Sequence, residues 1–374
     1  MSRFPFKILL PILATILTSV SAQINLQLPA LLGKYPVGTI ALEVNVLSNP
    51  RDIMTSFLYP SDLSCSSLPL APDFPAQSLA YVAAEAGLPP DFPITVTTQA
   101  HIKAPLASTE FPVLVFSPGY GVSRLLYTAA AEDLASLGYI VILVDHPIDA
   151  SFIEYPDGRF ITLTPPNYED QDAYIPFVDA RVQDVQTVLD SLSNSTFISQ
   201  IPGIKSRGKI QKLQTSKVGI LGHSLGGATA ASAMLVDKRF VAGVNLDGSI
   251  IGNVTTLGLL KPYLIMSAEG HNRTTDETWA EFWTHLCGFK REISVSKTQH
   301  GSYSDYLVLL DELVAAGIPV PDEIKEAFGT IGGERMLEIQ SAYVDAFFGK
   351  WLKGGKRKLL DGESKLFPEV TFFD

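Results

Sequence analysis

Lys217-Val218-Gly219-Ile220-Leu221, running straight into Gly222-His223-Ser224-Leu225-Gly226 and then the small residues Gly227 to Ala233, is the stretch that decides the fold. The first five residues form an apolar run of the kind found in a strand covered on both faces. The next five are a G-x-S-x-G pentapeptide, and the small residues after them suit a helix. Strand, sharp turn and helix are the context in which this pentapeptide carries chemistry, because the turn lifts the serine hydroxyl above the end of a parallel sheet. Glycines two before and two after are needed where a Cβ would meet the neighbouring strand and helix. Ser224 is therefore the candidate nucleophile.

Working outward, Pro112 to Phe116 is a second continuous apolar run, followed by a predicted helix over 125–137. Gly138 ends that helix, and Tyr139 to Val144 reads as the next strand. A hairpin is expected around Pro156-Asp157-Gly158 and a helix over 178–192. Strands follow at 241–246, 263–266 and 292–295, with a helix over 275–286 between the last two. The last long helix, 334–352, carries Met336, Ile339, Tyr343, Ala346 and Phe347 on one stripe. Toward the N-terminus, 37–46 alternates as a half-buried strand does, and 53–59 reads as its hairpin partner. Alternating strands and helices imply an α/β protein: a mostly parallel central sheet with helices on both faces and the active site at the strands' carboxyl ends. Residues 23–374 are expected to form one domain. Within it, 61–110, rich in Pro and Ser with one short helix over 76–86, reads as an insertion or rim, and 353–374 as a C-terminal tail.

The first 22 residues read as a secretory leader, with Arg3 and Lys7 at the basic start, an apolar stretch from Ile8 to Val20, and Val20-Ser21-Ala22 suited to cleavage. The stretch is short for a membrane span and Pro11 interrupts it. Cleavage removes two bases and takes the formal charge from −11 to −13, which argues against nucleic acid or an anionic membrane as the main partner. No transmembrane anchor is expected once the leader is gone. Export would permit a disulfide between Cys65 and Cys287, closing a loop of about 220 residues worth up to roughly 5 kcal/mol. Two cysteines at this spacing give no zinc motif. Asn194, Asn253 and Asn272 each open an N-glycosylation triplet.

A serine needs a base, and the base needs a group to hold its tautomer. On an α/β-hydrolase the chain order is serine, acid, histidine. Six histidines are present. His101 and His146 precede the nucleophile, His223 sits within the turn, His271 lies in a polar loop beside a glycosylation triplet, and His285 is on a helix. His300, in the polar turn after the last predicted strand, remains as the base. The acid is Asp247, closing the strand after the turn, or Glu269, closing the following strand; Asp247 is preferred as the shorter residue, followed by a turn-forming glycine. For the oxyanion hole, one backbone N–H should come from Leu225 at the helix start and the other from Ser117-Pro118-Gly119-Tyr120-Gly121, with Tyr120 or Gly121 as donor.

Phe116-Ser-Pro-Gly-Tyr-Gly121, Val144-Asp-His-Pro147, Gly222-His-Ser-Leu-Gly-Gly227, Asn245-Leu-Asp-Gly248 and Gln299-His-Gly301 occur in this order. Together they resemble the platelet-activating factor acetylhydrolase-like (lipoprotein-associated phospholipase A2 type) branch of the α/β-hydrolases, over roughly residues 33–352. Gly33 to Gly38 and Tyr59-Pro-Ser61 also suit that branch. The resemblance implies Asp247, 23 residues after Ser224, as the acid, and His300, 53 residues further, as the base. It implies Tyr120 as the loop donor. The sequence departs from the pattern at Pro118, where many relatives have histidine. The expected function is a secreted, cofactor-free serine ester hydrolase acting on carboxylic esters, short-acyl phospholipids among them. An acyltransferase or tailoring enzyme for a secondary metabolite, and a non-catalytic binding protein on the same scaffold, are the competing readings.

Overall fold

The computed structural model describes residues 23–46, 49–62, 68–89 and 92–373. The expected leader at 1–22 and Cys65 lie outside them. One twelve-stranded sheet organises the chain. Its N-terminal strands are β1 (Ile24–Gln27), β2 (Val37–Val46), β3 (Asn49–Pro60), β4 (Leu70–Pro72) and β5 (Ile94–Ile102). The central ones are β6 (Pro112–Ser117), β7 (Ile140–Val144), β8 (Gln214–His223), β9 (Phe240–Leu246), β10 (Tyr263–Ala268) and β11 (Lys290–Val295), and β12 (Val370–Phe373) comes last. The spatial order is β1-β5-β2-β3-β7-β6-β8-β9-β10-β11-β12, with β4 paired to β5. From β7 to β11 every neighbour pair is parallel. The β2–β3 hairpin joins β7 antiparallel, and β12 closes the far side antiparallel to β11.

Alternation within the buried strands divides the core. Leu114, Phe116, Val141, Leu143, Leu221 and Val244 face α2 (Thr128–Ser136), α6 (Tyr306–Ala315) and α8 (Gly333–Lys353). Val113, Val115, Ile140, Ile142, Ile220 and Ile265 face α3 (Ile175–Ser191), α4 (Leu225–Val236) and α5 (Glu277–His285). Each such aliphatic side chain buried contributes about 1.5–3 kcal/mol, so the layers on both faces hold the sheet edges in fixed register. That register matters for the site. Gly222 pairs with Ser117 and His223 with Leu246, so the loops carrying Ser224, the 118–121 turn and Asp247 leave adjacent strands at one level. The chain steps from β6 to β7 on one side and then crosses to β8 on the other, which makes the end of β6 a topological switch point where α/β sheets bind ligands.

Two expectations need correction. The 61–110 segment carries more than a rim and the helix α1 (Ala76–Glu85): β5 lies between β1 and β2 in the sheet. Its sequence, ITVTTQAHI, alternates but is rich in threonine, because this flank is only half buried. The C-terminal tail likewise ends in β12, which covers the edge of β11. Helices α6 and α7 (Asp322–Phe328) were not expected at all.

Candidate active site

The elbow is built as the pentapeptide requires. Ser224 stands between β8 and α4 at φ 57° and ψ −123°, a conformation costly for a residue with a side chain. Close packing fixes it there. A Cβ at Gly222 would sit inside the contact radius of the Gly226 carbonyl, and one at Gly226 inside that of the Ser117 carbonyl. Ser224 N–H donates to Leu246 O at 2.9 Å, tying the nucleophile's backbone to the residue before Asp247. Asp247 is itself strained, at φ 57°. Asn245 braces its turn, accepting from Gly248 N–H at 2.9 Å and donating to Gly248 O, to which Trp279 Nε1 also donates.

His300 begins the short helical turn His300–Tyr303 after β11. Its Nδ1–H donates to Asp247 Oδ2 at 2.6 Å. Its backbone carbonyl accepts from His223 Nε2 at 2.9 Å, and the two imidazoles lie 4.6 Å apart between centroids. His223 is thus not idle in the elbow. With Nε2 donating, Nδ1 accepts from Tyr127 OH at 2.8 Å, and that hydroxyl accepts from Gly119 N–H at 3.0 Å. Burial, and then the charge at His300, hold the His223 pKa well below the ordinary value, so it stays neutral in this relay. One chain of hydrogen bonds therefore links the 118–121 loop, the elbow and the histidine loop.

That loop is gripped from below by Arg181 of α3, fully buried. Its guanidinium forms a bidentate pair with Asp149, at 2.7 Å on both oxygens, and donates to Pro118 O at 2.6 Å and Gly119 O at 3.0 Å. In a trans peptide the N–H opposes the C=O. Holding Gly119 O on Arg181 aims Tyr120 N–H away from α3, and Gly119 lies against His223 and Ser224. Leu225 N–H opens α4, among the first-turn donors that a helix cannot satisfy itself. The pattern Val144-Asp-His-Pro147 serves the scaffold: Asp145 pairs with Arg124, while His146 bridges Ser117 Oγ at 2.9 Å and Asp184 at 3.1 Å.

Other sequence candidates lie apart from this cluster. Glu269 Oε2 accepts from Lys297 N–H at 2.6 Å, so it pins the turn before His300 while Asp247 holds the ring. Asn194 and Asn253 are exposed and Asn272 partly so. Cys287 is exposed, and its partner in the expected bridge, Cys65, is not among the described residues. His271, passed over as the base, also reaches the acid: its Nδ1 lies 2.8 Å from Asp247 Oδ1 and its Nε2 3.0 Å from Asp276 Oδ2. Asp247 would be raised by burial alone, yet the hydrogen bonds from His271 and His300 hold it below the usual carboxylate range. Neither Arg181 nor His271 had a motif to mark it.

Residues 91–330 match the family model described as platelet-activating factor acetylhydrolase, isoform II. Over 276 residues the chain is 33% identical to the "Probable 1-alkyl-2-acetylglycerophosphocholine esterase" of Arthroderma benhamiae, covering 70% of this chain and 66% of that protein. It is 24% identical to the platelet-activating factor acetylhydrolase of Cavia porcellus, over 74% of this chain and 67% of the relative. The chain thus spans about two-thirds of the length of these relatives. Among solved structures, a ferulic acid esterase from Streptomyces cinnamoneus superimposes with a TM-score of 0.77 at 32% identity, over 93% of this chain and 99% of its own.

Proposed function

The chain belongs to the platelet-activating factor acetylhydrolase, isoform II, family and is a carboxylic ester hydrolase, and from that premise we propose that it is an exported serine esterase acting on short-acyl esters, short-acyl phospholipids foremost, through Ser224, His300 and Asp247. His300 Nε2 takes the Ser224 proton as Oγ attacks the acyl carbonyl. The tetrahedral oxyanion is met by the N–H groups of Leu225 and Tyr120. Collapse breaks the ester C–O bond, and His300 returns the proton to the departing alcohol. Water, deprotonated by His300, then attacks the acyl-enzyme and releases the acid. Asp247 keeps Nδ1 protonated throughout, so that Nε2 is free to act as base. No metal or cofactor enters these steps.

The observation that carries the reading is the 2.6 Å bond from His300 Nδ1 to Asp247 Oδ2, beside an elbow whose serine is strained outward. Export is supported by the leader and the three glycosylation triplets, with the mature chain starting at Gln23. No helix among the described residues is long and apolar enough to cross a membrane. The test is hydrolysis of p-nitrophenyl esters of graded length, a short-acyl phospholipid and a feruloyl ester by the wild type and Ser224→Ala. The variant is expected to lose at least about 10⁴-fold in kcat, and the wild type to prefer the short acyl chains. Undiminished hydrolysis by Ser224→Ala overturns the mechanism; a best rate on long-chain or feruloyl esters overturns the substrate class.

A further inference from the structure

We propose that His271 is a positioning residue for this reaction: an imidazolium clamped between Asp247 and Asp276 that fixes the carboxylate holding His300 and offsets its charge. The proposal rests on the triad reading above. Its evidence is the donor count. A carboxylate only accepts, and His271 places each ring nitrogen within 3.0 Å of one, so both nitrogens must carry hydrogen.

Both acids are set among donors that favour the ionised form. Asp276 Oδ1 accepts from Thr278 N–H, Thr278 Oγ1 and Trp279 N–H, and its Oδ2 accepts from Ser249 Oγ as well as His271. Asp247 Oδ1 accepts from Ala268 N–H at 2.8 Å beside His271, which leaves Oδ2 for His300. The ring also stacks on Trp279, centroids 4.1 Å apart and planes within 22°, a face that favours a cation.

The charged groups packed around the ring sit on neighbouring elements. Asp247 follows β9, Asp276 caps α5, and Glu292 of β11 pairs with Arg273 of the intervening loop at 2.6 Å. His300 faces it across Asp247. Burial disfavours the charged ring, but the hydrogen bonds and charges of Asp247 and Asp276 outweigh it and push the His271 pKa up to about 9. At neutral pH the two aspartates and His271 then carry one net negative charge where they would otherwise carry two.

The consequence is an alkaline limb. When His271 loses its proton, one bare nitrogen faces a carboxylate lone pair, that contact fails, and Asp247 loses a restraint. The kcat/KM profile of the wild type is expected to fall across about pH 9. His271→Asn keeps an N–H for Asp247 but loses the charge and the tie to Asp276, so its kcat at neutral pH should already sit near the lowered level the wild type reaches above about pH 9, and that limb should be lost. His271→Ala should lower kcat roughly 10-fold, with KM little changed. Nitrogen-15 NMR of histidine-labelled wild type at about pH 7 should show both His271 ring nitrogens protonated.

A neutral His271 ring in that spectrum overturns the inference, as does an alkaline limb that persists unchanged in both variants. If Ser224→Ala still hydrolyses esters, the triad reading itself has failed. If that variant is dead while His271 is neutral, only this inference has.

Discussion

At the scale of single residues, the site depends on side chains that aim backbone groups as much as on those that would react. Arg181 is the clearest case, since its donors settle which way the Gly119–Tyr120 peptide faces. Arg181→Met leaves Asp149 buried and unpaired, and is expected to cost about 3–5 kcal/mol in denaturant titration. Arg181→Lys keeps the charge but cannot grip both carbonyls and both carboxylate oxygens. It should fold, with kcat lowered on the order of 10-fold or more and KM largely retained, a fraction of what a lost oxyanion donor costs. Equal kcat in Arg181→Lys and wild type would show that the loop holds itself. What sequence reasoning could reach here follows from chemistry with an order along the chain. Ser224 and Asp247 directly follow strands, His300 lies in the turn after the next-but-one strand, and serine, acid and histidine come in sequence. Arg181 could not be found that way, because an arginine on a helix reads as its exposed face, and burial against Asp149 is a tertiary fact. His271 was hidden by its polar, sequon-bearing loop, whose composition says surface while its fold turns the ring inward.

At the scale of elements, β8, the elbow and α4 act as one unit that packs backbone on backbone. Gly226 approaches the Ser117 and Pro118 carbonyls too closely for any side chain. Gly226→Ala must push α4 away from β6 or displace the 118–121 loop, and either change moves Tyr120 relative to Leu225. The expected result is a loss of roughly 1–3 kcal/mol, the cost of overpacking, with a disproportionate fall in kcat. Thermal melting read beside kcat checks it, and a variant melting and turning over like wild type would sink the packing argument. The same strands explain why the centre of the fold was legible. Buried parallel strands are uninterrupted apolar runs, and helices between them are bounded by residues such as Gly138, at φ +94°. The flanks were not legible for the converse reason. β1 and β5 face solvent on one side and spend threonine and asparagine there, while β12 is four residues at the end of a polar tail. α6 is an apolar decapeptide, YLVLLDELVA, whose period a strand would also tolerate.

At the scale of the whole molecule, the chain buries titratable groups unevenly, and the sum sets how stability responds to pH. Desolvation pushes Asp305 up to about 7, and raises Asp73 and Glu132 well above their ordinary values, with neighbouring carboxylates adding to the latter two. These groups hold protons in the folded state that the unfolded chain releases near pH 4. A raised pKa gives stability that is present below the unfolded value and lost as pH rises through the folded one. His271, raised to about 9, follows the same sign, losing its contribution between about 6.5 and 9. His146 and His223, both lowered, work in the opposite sense, but their contributions are already complete above about 6.5. From there to pH 9 the raised groups lose stability, and Lys353 of α8, lowered to about 8 by burial, works against them only above about pH 8. Urea titrations are therefore expected to show unfolding free energy falling on the order of 2 kcal/mol across that interval, His271 contributing most of the loss, Asp305 about 1 kcal/mol, and Lys353 returning about 1 kcal/mol above pH 8. Asp305→Asn isolates the smaller part. It keeps an oxygen for the Ala129 N–H at the start of α2, so the helix stays capped, and it removes the proton. Its stability should decline less steeply around pH 7 than that of the wild type and in parallel above pH 8. A wild-type stability that is flat or climbing from pH 6.5 to 9, or an Asp305→Asn curve with the wild-type slope at pH 7, would mean that these carboxyls are not held protonated inside the fold.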